Sequence, residues 1–212
     1  MSYLNKTISE FLKELSARTP VPGGGSAAAL SGALGMGLLA MSARYSFGKK
    51  RPKDKKIGKI LRESARLQSR FSQLIEEDVQ NYTQVVRAQR LVKYLPERRQ
   101  RPFMEPSLRK ALASALDICK NAYHGTHLSK MLLEKGNPYL VSDVATGIAL
   151  LSASFFSARF LCEANLAALR NRPLLSRTDR LLSFQESEIR QLMRQLPGKV
   201  RRQRRMERRH VR

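Results

Sequence analysis

The sequence predicts an all-α protein: an up-and-down multi-helix bundle with two central helices rich in small, apolar residues. Three observations lead there. Ala, Leu, Arg, Lys, Glu and Gln, which favour helix, dominate the 212 residues. Apolar positions recur at three- and four-residue spacing, and no sustained period-two run of β-branched residues argues for a sheet. Two long stretches, 23–43 and 144–158, carry no charge at all. The length suits one domain over 1–198, and 199–212 reads as a basic, disordered tail.

Thr7-Ile8-Ser9-Glu10 is a capping-box pattern, and Ile8, Phe11, Leu12 and Leu15 follow on one face, so a first amphipathic helix runs to about residue 17. Pro20-Val21-Pro22-Gly23-Gly24-Gly25 ends it and shapes a turn into a second helix over 26–46. The free N–H groups and positive dipole end at such a start form a ready anion slot, for a carboxylate, a phosphate or a developing negative charge. Neither a Walker A nor a dinucleotide-binding fingerprint is present. The alternative is a tight helix start packed against a neighbour.

The second helix is long enough to span a bilayer, but Ser31, Gly32, Gly35, Gly37 and Ser42 make it weakly hydrophobic. Small residues four apart, as in Ala28/Gly32 and Ser31/Gly35, suit close helix packing instead. A central bundle helix is expected, and no membrane span.

A long third helix is expected over 54–95, with Ile57, Ile60, Phe71, Leu74, Tyr82 and Val85 on its apolar stripe. Asp78 falls on that stripe, four residues after Leu74 and four before Tyr82, and Asn81 points nearly the same way. An inward carboxylate costs desolvation unless it is paired or useful. A buried ion pair with an arginine is the structural alternative.

Residues 96–106, with three prolines and several arginines, read as a solvated connector. Two helices follow, over 107–122 and 126–135. His124 and His127 stand three apart with no third ligand nearby and no HExxH pattern, so no metal site is expected. The second constrained turn is Gly136-Asn137-Pro138-Tyr139-Leu140-Val141-Ser142-Asp143, where Ser142 or Asp143 can serve as a helix cap. An apolar central helix is expected over 144–169. A last amphipathic helix should open at Thr178 and stop at Pro197-Gly198.

Charge sets a second theme. The formal net charge is +23, and eight Lys or Arg against one Glu lie between Lys199 and Arg212. Such an excess calls for an anionic partner or environment, nucleic acid among them, met through the basic tail. No Phe, Tyr or Trp follows Phe184, so the tail lacks the stacking residues that single-stranded nucleic acid favours. Cys119 and Cys162 make no CxxC or zinc spacing and read as buried thiols of a reducing compartment. With no secretory signal visible at the N-terminus, a cytoplasmic protein is expected.

Taken in order, the Pro22-Gly23-Gly24-Gly25-Ser26-Ala27-Ala28-Ala29 turn, Gly48-Lys49-Lys50, mid-helix Asp78 and the Gly136-to-Asp143 turn resemble the cyclodeaminase/cyclohydrolase family. Formimidoyltetrahydrofolate cyclodeaminase and bacterial methenyltetrahydrofolate cyclohydrolase belong to that family. The resemblance runs from about residue 8 to about residue 170. It implies an all-helical homodimer that binds a tetrahydrofolate derivative, polyglutamylated forms included, with no metal and no cofactor beyond that substrate.

By position, Gly23, Gly24, Gly25, Ser26, Asn137, Ser142 and Asn165 would line the substrate site, and Lys49 and Lys50 would meet substrate carboxylates. Asp143 would be the principal acid/base, with Asp78 its partner or an orienter of the pterin ring. The family's Asn-Val-Arg-Ile-Asn-Leu-like segment is here Leu161-Cys162-Glu163-Ala164-Asn165-Leu166, in which the first Asn and the Arg are lost and the second Asn survives as Asn165. A proline common in the family is replaced by Ala115. The favoured reading is thus an enzyme, a cyclodeaminase (ammonia lyase) or cyclohydrolase working by general acid/base catalysis at the N5/N10 one-carbon unit. The alternative is a non-catalytic paralogue that binds nucleic acid or another polyanion.

Overall fold

The computed structural model describes residues 2–46 and 55–210, the last eight of these by backbone alone. Six α-helices form: α1 (Ile8–Leu15), α2 (Gly24–Tyr45), α3 (Lys55–Val92), α4 (Glu97–Lys135), α5 (Val141–Leu169) and α6 (Arg172–His210). No strand occurs among the described residues.

The chain folds as an up-down-up-down bundle of α2, α3, α4 and α5, closed because α5 returns to α2. Contacts along the helices fix the directions. Ser26 of α2 meets Asp78 of α3, while Arg70 of α3 pairs with Asp117 of α4 at 2.6 Å and Asn81 bonds to Ser114 at 2.6 Å. On the far side, Ser31 donates to the Leu150 carbonyl at 2.9 Å, and the Asn137 N–H donates to the Ser46 hydroxyl at 2.8 Å. Thus α2 and α5 run antiparallel along their full length.

Small residues permit that closeness, as their four-residue spacing implies. A β-carbon at Gly35 would lie 2.9 Å from the Gly147 carbonyl oxygen, and one at Gly147 would lie 3.1 Å from that of Gly35. Between the four helices the core is filled by Met36, Leu39, Ile60, Phe71, Leu74, Ile118, Ile148, Leu151 and Phe155, all fully buried. Burying such a side chain contributes roughly 1.5–3 kcal/mol each. Both α2 and the stretch Pro138–Leu169 are long and apolar enough to cross a membrane by length and composition. In the bundle, α2 is enclosed by α3, α4 and α5.

Helix α6 lies outside, across α4 and α5. Arg159 of α5 holds it there through Asp179 at 3.1 Å and Glu186, while Glu163, one turn on along α5, braces the guanidinium at 3.0 Å. Tyr123 bonds to Glu188, which His127 approaches at 3.5 Å, so both residues join α4 to α6. No group of three or more candidate metal ligands occurs among the described residues.

Helix α1 carries the expected capping box, with the Thr7 hydroxyl accepting from the Glu10 N–H and the Glu10 carboxylate accepting from the Thr7 N–H. Elsewhere the helix boundaries depart from expectation. Residues 97–135 form one helix rather than a connector and two helices. Pro102 and Pro106 lie on its exposed side, where a missing helical hydrogen bond costs less than in the core. Gly125 does not break it because its bare backbone packs on Met36 and Leu151, 2.7 and 2.9 Å from where a β-carbon would stand. Helix α5 starts at Val141, so neither Ser142 nor Asp143 caps it. Helix α6 begins at Arg172, before Thr178, and continues through Pro197 and Gly198 to His210.

Candidate active site

The turn between α1 and α2 delivers Gly23, Gly24 and Gly25 to the mouth of a cleft of about 330 Å³. Asp78 and Tyr82 of α3 stand opposite, Ala111 and Ala115 of α4 form another wall, and Leu161, Ala164 and Asn165 of α5 complete it with Pro20. The helical stripe that aims Asp78 inward on sequence grounds therefore aims it into this space.

Its carboxylate rests on the first turn of α2. The Ser26 hydroxyl donates to it at 2.8 Å, and a β-carbon on Gly25 would fall 1.9 Å from its Oδ1. The anion slot read from the glycine turn is real, but its occupant is the protein's own Asp78. Burial pushes the Asp78 carboxyl above its ordinary value, while the Ser26 hydroxyl and backbone N–H pull it partly back. Among the described residues no arginine or lysine contributes, so the carboxylate is not held there by an ion pair. A partly desolvated carboxylate held by neutral donors, rather than by a cation, takes up a proton more readily than an ordinary one, which suits it to relay protons.

Asn165 reaches the cleft from α5, its amide nitrogen fixed by the Leu161 carbonyl at 2.8 Å. Asn81, expected to point inward with Asp78, instead bonds to Ser114 and does not line the cleft. Tyr82 was not singled out as a site residue, although its place one turn after Asp78 on the same stripe signals it. Ala115 and Leu161, two of the positions where the sequence departs from the family pattern, also line the cleft.

Asn137, Ser142 and Asp143 lie elsewhere. Asn137 staples the second turn to the end of α2: its N–H and amide nitrogen donate to Ser46 and Tyr45, at 2.8 and 3.3 Å, and its side-chain oxygen accepts from the Tyr139 N–H at 3.0 Å. Asp143 stands in the first turn of α5 and Asn165 in its last turns. The 22 intervening helical steps place them about 33 Å apart. Within one protomer Asp143 and Asp78 are therefore not brought together. Lys49 and Lys50 fall outside the described residues.

Comparison with known proteins agrees with this architecture. The model of the formiminotransferase-cyclodeaminase family matches residues 7–181. The methenyltetrahydrofolate cyclohydrolase of Methylorubrum extorquens is 33% identical over 155 residues, 70% of this chain and 73% of that protein. The formimidoyltransferase-cyclodeaminases of Gallus gallus and Rattus norvegicus are 25% and 27% identical over 89% and 78% of this chain. The chain spans only about a third of their length, 36% and 31%.

The crystal structure of a formiminotetrahydrofolate cyclodeaminase from Thermotoga maritima superposes with a TM-score of 0.83 at 21% identity, covering 93% of this chain and 97% of that one. At that identity the likeness is one of fold. With the family match extending from the capping box of α1 into α6, the chain belongs to the formiminotransferase-cyclodeaminase family.

Proposed function

We propose that the protein is a folate one-carbon enzyme, a cyclodeaminase or cyclohydrolase acting on the carbon carried at N5 and N10 of tetrahydrofolate. One observation carries this reading: a carboxylate with a raised pKa and no cationic partner faces a cleft walled by bare glycine backbone. The names of the relatives supply the substrate class.

Asp78 can relay the transferred proton in either reaction. In cyclodeamination N10 attacks the formimino carbon, a C–N bond forms, and the N10 proton passes to Asp78. The same proton then goes to the departing nitrogen as its bond to carbon breaks and ammonia leaves. In hydrolysis of the methenyl bridge, water adds to the cationic carbon and Asp78 takes one water proton; it returns that proton to the ring nitrogen whose bond to carbon opens, and the remaining hydroxyl proton leaves to solvent as the formyl carbonyl forms. Both routes pass through a tetrahedral carbon, and general acid/base assistance of this kind supplies about 10²–10⁴-fold. Asn165 and the Gly23–Gly25 backbone position the ring system.

The outer face of α5 bears on assembly. Thr146, Ala149, Ala153, Ser157 and Phe160 form an exposed, uncharged stripe, and Leu34 of α2 is 54% exposed. On a chain of net charge +23 this face is suited to a second copy. In the homodimer we infer, a two-fold relation antiparallel to α5 sets the Asp143 end of one protomer beside the cleft of its partner. Asp143, Ser142 and Asn137 then act, if they act in the chemistry, across the interface.

The test is an absorbance assay of methenyltetrahydrofolate, followed both as it forms from formiminotetrahydrofolate and as it hydrolyses. Light scattering on a sizing column reports the assembly. Turnover in either assay supports the reading, and none in both at high enzyme concentration refutes it.

A further inference from the structure

We propose that the Asp78 cleft is a receptor for a planar organic cation of the amidinium or iminium type, and that it admits only this cationic head of a ligand while the ligand's own carboxylates stay outside. Among the described lining residues Asp78 is the one carboxylate, and none is Lys, Arg or His. The described ion pairs do not include it, and its hydrogen-bond partner is the neutral Ser26. The chain as a whole carries +23, so a recess with a net negative charge stands out against its surroundings.

Two donors at the start of α2 that could hold an anion, the Ser26 hydroxyl and N–H, are already committed to Asp78. Asp78 sits on the N-terminal turn of α2 so closely that Gly25 has no room for a β-carbon, the nearest carboxylate oxygen being 1.9 Å from its place. A second anion entering the cleft would meet Asp78 at short range in a partly desolvated space, where like charges repel strongly. A cation meets the opposite: an unpaired carboxylate, apolar walls from Ala111, Ala115 and Leu161, and the aromatic ring of Tyr82 one turn further along α3. Aromatic rings and carboxylates together favour flat, delocalised cations over compact, strongly hydrated ammonium ions.

Size points the same way. About 330 Å³ is near the lower end of ligand clefts and accommodates a ring with its charged substituent rather than an extended molecule. This inference deepens the folate reading and rests on it for the natural ligand. A protonated formimino group is an amidinium, and a methenyl bridge between two nitrogens is an iminium cation. Both candidate substrates thus present the same kind of charge at the reacting carbon, and the cleft binds them through that charge.

The experiment uses three flat probes of nearly equal shape on the full chain: benzamidinium chloride, neutral benzamide and sodium benzoate. Binding is followed by ligand-observed NMR and calorimetry at fixed ionic strength. A hydrogen-bonded charge pair predicts that benzamidinium binds about 10- to 100-fold more tightly than benzamide, with no binding of benzoate. Asp78→Asn should abolish the preference.

Should that variant not fold, Ala164→Phe fills the cleft from an exposed position on α5 and should weaken benzamidinium binding in the same way. Equal binding of benzamidinium and benzamide, or a preference that survives Asp78→Asn, overturns the proposal. Folate turnover without cation preference sinks this inference alone. Cation preference without folate turnover sinks the substrate assignment and leaves the receptor standing.

Discussion

The carboxylate of Asp78 lies where Gly25 has no β-carbon, with Oδ1 only 1.9 Å from the position such an atom would take. Gly25 and Asp78 are therefore a matched pair, contributed by α2 and α3. Gly25→Ala must displace the carboxylate, because backbone occupies the other side of the contact. A displacement on the ångström scale at a reacting group costs about 10²-fold. The neighbouring glycines differ: β-carbons at Gly23 and Gly24 would meet their nearest atoms at 3.8 and 3.7 Å, ordinary contact distances. Steady-state kinetics should find kcat of Gly25→Ala lowered about 100-fold or more, with kcat of Gly24→Ala near wild type. Equal effects at both positions would dissolve the pairing.

Ser26 tunes the same carboxylate. Its hydroxyl and N–H favour the ionised form against the burial that disfavours it. Ser26→Ala removes the hydroxyl, so the Asp78 pKa rises further. Where ionised Asp78 takes the first proton, the acidic limb of the kcat/KM profile moves to higher pH. A profile unmoved by the substitution would mean that another group sets that limb.

The raised pKa also fixes a stability effect. Burial holds the folded-state value above the unfolded one, so the contribution of Asp78 is most favourable below the ordinary carboxylate range and is lost as pH rises through the folded-state value. At neutral pH the buried carboxyl group therefore weighs against the fold. Asp78→Asn keeps the shape and the Ser26 bond without the charge, so its Tm at pH 7 should exceed that of wild type. The difference should shrink as pH falls to where wild-type Asp78 is protonated in both states. Thermal melts across pH decide this, and a lower Tm for Asp78→Asn at pH 7 contradicts it.

At the α2–α5 crossing the two glycine backbones touch. Gly35→Ala would push a methyl to 2.9 Å from the Gly147 carbonyl oxygen and against Leu151. Overpacking of this kind costs about 1–3 kcal/mol. Urea titration should show the midpoint of Gly35→Ala lowered with an unchanged slope. An unchanged midpoint would mean that the helices separate freely.

Much of this architecture is legible in the sequence because helical faces are local properties. The inward aim of Asp78 follows from its spacing to Leu74 and Tyr82, and the α1 start follows from its capping box. The relation between the two constrained turns is not local. It depends on how many helices separate them.

Reading 107–122 and 126–135 as two helices makes α5 the fourth helix after α2, which places the starts of α2 and α5 at the same end. The single helix Glu97–Lys135 makes it the third and places them at opposite ends. Gly125, which looks like a break, is a packing contact with Met36 and Leu151, and only the tertiary structure shows it. That one residue separates Asp143 from the cleft. The Asn137 side chain, expected at the substrate site, here bonds the Tyr45 carbonyl and the Tyr139 N–H, while its backbone N–H bonds Ser46.

The central claim is that Asp78 transfers the proton in a folate-binding cleft. Its most direct test compares wild type with Asp78→Asn in the two methenyltetrahydrofolate assays, with both proteins shown to be folded by circular dichroism. The account predicts that the variant loses about 10²–10⁴-fold in kcat in whichever reaction the wild type performs. Retention of wild-type kcat by folded Asp78→Asn would contradict it.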